Sequence, residues 1–159
     1  MSASETAVSW TRRLHDLGIE LPPVVPPVAA YIPAVRTGNL VYTSGQVPLV
    51  DGKPTHVGKV GDAVAPEDAA YAARTCALNA LAAVHALVGI DSVVRVVKVV
   101  GFVASADGFT GQPAVINGAS NLLGEVFGDA GAHARSAVGV AELPLGVPVE
   151  VELIVEIEG

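Results

Sequence analysis

The sequence predicts an α+β fold, a mixed sheet covered on one face by two helices, and three observations carry that prediction. First, Val147, Val149, Val151, Leu153, Val155 and Ile157 alternate with Glu150, Glu152, Glu156 and Glu158. This is the period of a strand with one dry and one wet face. Second, two Ala- and Val-rich stretches with helical spacing begin at Pro66 and near Gln112-Pro113 and stop at Gly89 and Gly128. Third, β-prone runs precede, separate and follow these helices, giving the order ββ-α-β-α-ββ with a hairpin expected at each end. The second face of such a sheet lacks cover, and self-association is the natural way to supply it.

Before the sheet, Trp10, Leu14 and Leu17 are spaced as a short amphipathic helix that Gly18 ends. Leu21-Pro22-Pro23-Val24-Val25-Pro26-Pro27 then reads as an extended polyproline strap. Residues 30–36 and 40–45 form two expected strands joined through Thr37-Gly38-Asn39, and Pro33 marks the first as an edge or interrupted strand. The stretch 47–65, rich in Gly, Pro, Asp and Lys, reads as loop. In the first long helix, Pro66 suits the opening turn and Glu67 and Asp68 complement its dipole. Its inward stripe is Ala77, Leu81, Val84 and Val88; in the second the stripe is Val115, Ala119, Leu122 and Val126. A β-branched run lies between them from Val93 to Val103, and another strand is expected over 135–142.

At 159 residues the chain fits one domain, expected over 28–159 with 1–27 as an N-terminal extension. Only 16% of residues are charged, against a usual ~25%, which suggests that other subunits cover part of the surface. The net charge is −7 and no basic cluster exceeds Arg12-Arg13, so nucleic-acid binding through phosphate neutralisation is disfavoured. Cys76, the single cysteine, sits in an Ala-rich helical pattern and excludes a disulfide framework. His15, His56, His85 and His133 lie far apart without ligand spacing, and no metal is expected. With no signal-peptide layout and no uninterrupted membrane-length apolar run, the expected protein is soluble and cytoplasmic, without a membrane partner.

Arg135 is the one Lys or Arg after Lys98, and it shares that stretch with eight carboxylates. A guanidinium keeps its proton and is costly to desolvate without an anion. Either an internal carboxylate such as Glu150 or Glu152 or an anionic ligand must answer it. Thr43-Ser44-Gly45-Gln46 leaves a strand at a glycine that allows close backbone approach. Asn117 is a poor helix former inside a helical stretch, and His133 lies two residues before Arg135.

Ser44-Gly45-Gln46, Asn117, Ala134-Arg135-Ser136-Ala137-Val138 with Leu143-Pro144, and Val149-Glu150-Val151-Glu152 resemble, in order and spacing, the signatures of the YjgF/YER057c/UK114, or Rid, family over residues 28–157. The resemblance implies a chorismate-mutase-like (bacillus-type) sheet with two helices on one face, assembled as a homotrimer with clefts between subunits. It implies hydrolysis of reactive 2-imino or 2-enamino acids to 2-keto acids and ammonia, without a cofactor. By the same resemblance Arg135 holds the substrate carboxylate, Tyr31 lines the cleft and Glu150 is the acid beside the attacking water; these three are the expected catalytic residues, with Glu150 or Tyr31 supplying the proton transfer. Ser44, Gly45, Asn117 and Ala137 complete the binding wall, and Lys98 matches a basic position on the central strand. Ala137 departs from the cysteine of many deaminase-active members, and Gly111-Gln112-Pro113-Ala114 lengthens the approach to Asn117. These departures, with the N-terminal extension, point to a divergent subgroup. They keep a second expectation open, a non-catalytic binder or sensor of small carboxylates in the same cleft. A ribonuclease role is disfavoured by the charge.

Overall fold

The computed structural model describes residues 8–27 and 29–159. Residues 1–7 of the expected extension, and Val28 at the expected domain start, lie outside the described residues. The sheet has five strands in the order β1-β2-β7-β5-β6. These are β1 (Ala34–Thr37), β2 (Leu40–Thr43), β5 (Val93–Ala104), β6 (Ala134–Val140) and β7 (Val149–Ile157). A separate two-stranded ribbon joins β3 (Leu49–Val50) to β4 (Lys53–Pro54) inside the stretch expected to be all loop. Its turn is Asp51-Gly52, both at positive φ (51° and 77°), the conformation that an Asp-Gly pair favours in a two-residue hairpin.

The helices are α1 (Trp10–Asp16), α2 (Pro66–Val88) and α3 (Gln112–Phe127). Gly89 and Gly128 cap α2 and α3 with positive φ, as their positions after the apolar stripes predict. The dry face of β7 packs with α2 and α3 in one core that also takes Val96, Val99 and Val103 from β5 and Val41 from β2. α2 is long and apolar enough to cross a membrane, but 61% of its most apolar window is buried in this core. Small residues let the two long helices approach closely. A Cβ on Gly118 of α3 would lie 2.6 Å from the carbonyl carbon of Ala70 on α2 and closer still to its oxygen.

The hairpin expected between the last two strands does not form. β5, α3 and β6 make a parallel crossover, and β7 inserts antiparallel between β2 and β5. β7 is buried at every second residue along its length, so it gains most from partners on both sides. β6 carries small residues on both faces, is half exposed and forms an edge of the sheet. β1 begins directly after Pro33 and is the other edge.

The N-terminal helix is fastened to the far end of α3. Trp10 packs edge-on to Phe127 with ring centroids 5.0 Å apart, and its indole N–H donates to the Val93 carbonyl at 2.8 Å. The Asp91 carboxylate accepts from the Thr11 amide and hydroxyl, each at 2.9 Å. The Thr11 amide is the main cause of an Asp91 carboxyl held below its ordinary range.

Candidate functional site

Beyond Tyr42 the chain of β2 leaves β7 and rejoins it at Gln46. The Thr43 hydroxyl accepts the Leu153 amide at 2.9 Å, and Gln46 and Val151 exchange backbone hydrogen bonds of 2.8 and 3.0 Å. Ser44 and Gly45 are thereby pushed out of the ladder. Ser44 turns instead to the segment before β1, its amide donating to Pro33 O at 2.8 Å and its hydroxyl to Ile32 O at 2.6 Å. Tyr31 stands exposed on that segment. Gly45 lies so close to Glu150 that an added Cβ would meet the carboxylate carbon at 2.9 Å. Burial, and next the charge of Glu152, push the Glu150 carboxyl above its ordinary range. Among the described residues, no hydrogen bond or ion pair reaches its side chain.

Arg135 sits at the other side of the sheet, in β6. Pairing register puts it beside Val99 and Leu153, on the helix-covered face. Both hydrogens of Nη1 are committed to α3, one to Asn117 Oδ1 at 2.8 Å and one to Ser120 Oγ at 3.2 Å. Nε and Nη2, the side-on fork of the guanidinium, have no partner among the described residues, and no carboxylate pairs with Arg135 there. The internal pair with Glu150 or Glu152 is therefore not made within the chain. Ser120 Oγ also lies 2.9 Å from His133 Nε2, and His133 Nδ1 is 2.6 Å from the Gly131 carbonyl. A carbonyl only accepts, so Nδ1 carries the hydrogen and Nε2 accepts from the Ser120 hydroxyl.

The sequence-predicted residues thus fall into two groups. Asn117, Arg135 and Ala137 share the α3–β6 side, with Ala137 on the Arg135 face opposite Gly101. Tyr31, Ser44, Gly45 and Glu150 share the β2–β7 side. Glu150 pairs with Phe102, and Phe102 in turn with Val138, on the uncovered face, so Glu150 lies two strand spacings or about 10 Å from β6. Lys98 lies on that uncovered face too, between Ala134 and Ile154. The same face exposes Val35, Tyr42 and Val138. Ser120 was missed from sequence, although its place one turn after Asn117 puts both on one helix face. Concavities of 320 and 590 Å³ lie elsewhere, under the Pro-rich segment and beside α1, and touch neither group. Among the described residues no cluster could hold a metal ion.

The family model described as Endoribonuclease L-PSP, that of the YjgF/UK114 family, matches residues 23–157. Protein TCP17 of Trypanosoma cruzi is 43% identical over 146 residues, covering 91% of each chain. The 2-iminobutanoate/2-iminopropanoate deaminase of Dermatophagoides farinae is 36% identical over 138 residues, 86% of this chain and 93% of that one. Among solved structures, Atu1372 of Agrobacterium tumefaciens, a protein of unknown function, superposes with a TM-score of 0.86 at 46% identity, covering 94% of this chain and 92% of that one. With the motifs in place on this mixed sheet and its helices, the chain belongs to the YjgF/YER057c/UK114 (Rid) family.

Proposed function

We propose that this protein hydrolyses reactive 2-imino and 2-enamino acids to 2-keto acids and ammonia. One observation carries the proposal: Arg135 has Nη1 pinned by two neutral oxygens while its Nε/Nη2 fork faces no carboxylate. A side-on guanidinium fork matches the two oxygens of a carboxylate. The deaminase relative of D. farinae supports the reaction class.

The substrate carboxylate docks on the Arg135 fork, with Asn117 and Ala137 beside it. Fixing a protonated imine, already electrophilic, leaves only a water to be delivered to C2. Glu150, its carboxyl raised by burial, takes a proton from that water as the C–O bond forms. It returns the proton to nitrogen, and as the C–N bond breaks and ammonia leaves, the new hydroxyl gives its proton back to Glu150 and becomes the keto oxygen. Tyr31, Ser44 and Gly45 wall the water side. Arg135 and Glu150 lie on opposite faces of one sheet, so the second group comes from another copy of the chain. We assign that copy to a homotrimer, in which the uncovered face with Val35, Tyr42 and Val138 is buried between subunits.

The test generates the imines of several amino acids with an amino-acid oxidase in the presence of the protein. Keto-acid release accelerates over buffer, and Arg135→Ala abolishes the acceleration. Release no faster than in buffer for every amino acid rejects the activity. The second reading is a non-catalytic binder or sensor of small carboxylates. The observation favouring it is that Asn117, Ser120 and Arg135 assemble within one chain, whereas Glu150 requires a second. Calorimetric binding of pyruvate or 2-oxobutanoate, lost in Arg135→Ala and accompanied by no turnover, selects this reading.

A further inference from the structure

Arg135 is held by a series of contacts that runs deeper than the binding site. The order is Gly131 carbonyl, His133, Ser120, Arg135, with successive contacts of 2.6, 2.9 and 3.2 Å. Each direction of donation follows from the one before. The carbonyl takes the Nδ1 hydrogen, so the Nδ1–H tautomer offers Nε2 as an acceptor. The Ser120 hydroxyl gives its one hydrogen there, which leaves its lone pairs turned to the guanidinium. Without His133 the hydroxyl rotates freely and its hydrogen competes with Nη1 for the same space. Gly131 is itself fixed, since a Cβ there would lie 2.8 Å from the carbonyl carbon of Leu123.

We propose that His133, acting through Ser120, is a positioning residue that sets the direction of the Arg135 fork. His133 contacts Ser120 and the Gly131 carbonyl and not Arg135 itself. The inference rests on the reading of Arg135 as a carboxylate clamp, and it adds that the clamp's aim is set from the 131–133 turn. Asn117 holds the other Nη1 hydrogen from the same helix face. The two α3 side chains together stop rotation about the Nε–Cζ bond and present Nε and Nη2 as a pair.

The test measures 2-oxobutanoate binding by calorimetry, imine turnover, and the ¹⁵N–¹H spectrum of the Arg135 guanidinium in the full-length protein. Ser120→Ala and His133→Leu are each expected to weaken 2-oxobutanoate binding and raise KM about tenfold, the equivalent of one charge-assisted hydrogen bond, with kcat little changed. Separate Nη signals in the wild type collapse in both variants. Ser120→Thr and His133→Gln keep a hydroxyl and an acceptor, and restore binding to within about twofold. Because the contacts act in series, the double variant is no weaker than Ser120→Ala alone. Full loss in Arg135→Ala with no effect of His133→Leu overturns the positioning role and leaves the clamp standing. Additive losses in the double variant also overturn it. No loss in Arg135→Ala overturns the clamp and this inference together.

Discussion

Gly118→Ala is the substitution that separates local preference from tertiary packing in this fold. In an exposed helix interior the change stabilises by about 1 kcal/mol. Here the new Cβ would lie 2.6 Å from the carbonyl carbon and 3.1 Å from the Cα of Ala70. Carbon atoms settle at about 3.5–4.0 Å, so α2 and α3 must part by about 1 Å along their line of contact. The obstacle is backbone, which has no rotamer to yield. Overpacking of this kind costs about 1–3 kcal/mol and sometimes more, and separation also forfeits contacts among the Ala side chains around the crossing. Net destabilisation of about 2 kcal/mol is expected, equivalent to a fall in Tm of about 4–8 °C for a chain of this size.

The same displacement reaches the site, because Asn117 and Ser120 flank Gly118 and both hold Arg135. Urea denaturation reads the first effect and 2-oxobutanoate calorimetry the second, with affinity expected to fall about fivefold or more. A Gly118→Ala variant as stable as the wild type would refute the close crossing. Lost stability with unchanged carboxylate affinity would refute the coupling of that crossing to Arg135.

Gly45→Ala meets only the flexible end of Glu150, so its stability cost stays under about 1 kcal/mol. The displaced carboxyl lowers keto-acid release about tenfold or more, and equal turnover in the variant would separate Glu150 from the chemistry. Glu150 also has a pH signature. Its folded-state pKa is raised, so its contribution is fully present below the unfolded value and is lost as pH rises through the folded one. Glu150→Gln therefore raises Tm at pH 7, and the difference vanishes below about pH 4; a variant less stable at pH 7 reverses the sign and rejects it. Asp91 behaves oppositely. Its depressed pKa makes the anchoring of α1 a contribution present above the unfolded value and lost as pH falls through the lower folded one. Fluorescence of Trp10, the single tryptophan, shifts to the red as pH falls from the ordinary carboxylate value of about 4 through the lower folded one, and Asp91→Ala gives the shifted emission already at pH 7. Identical emission in wild type and variant across that range rejects the anchor.

The elements that were legible in the sequence are those whose side chains differ between faces. β7 announces itself through Val149 to Ile157 because each second residue is buried. α2 and α3 do so through their stripes, their opening prolines, and Gly89 and Gly128 at their ends. Periodicity reports which face a residue takes but not which strand lies beside it. The insertion of β7 between β2 and β5 was accordingly out of reach, and a C-terminal hairpin was expected in its place. The Asp51-Gly52 ribbon carried a readable turn signal, yet its strands of two residues each are too short for any alternation to show.

The least legible feature was the face of Arg135, and it decides how the site can work. Ala134-Arg135-Ser136-Ala137-Val138-Gly139-Val140 has small residues on both sides, so no pattern in it fixes parity. Parity comes only from pairing: Arg135 joins Val99 and Leu153 under α3, while Val138 joins Phe102 and Glu150 on the uncovered face. A shift of one residue in β6 would put Arg135 on the Glu150 side, remove Asn117 and Ser120 from its reach, and allow a site within one chain. The register of an edge strand thus makes the proposed carboxylate clamp an intrachain device and the proposed hydrolysis a property of more than one chain. Under that proposal, diluting the protein until the proposed assembly dissociates abolishes imine turnover, while 2-oxobutanoate binding, assigned to Arg135, Asn117 and Ser120 of one chain, persists. Turnover that survives in an isolated chain contradicts the division of the site.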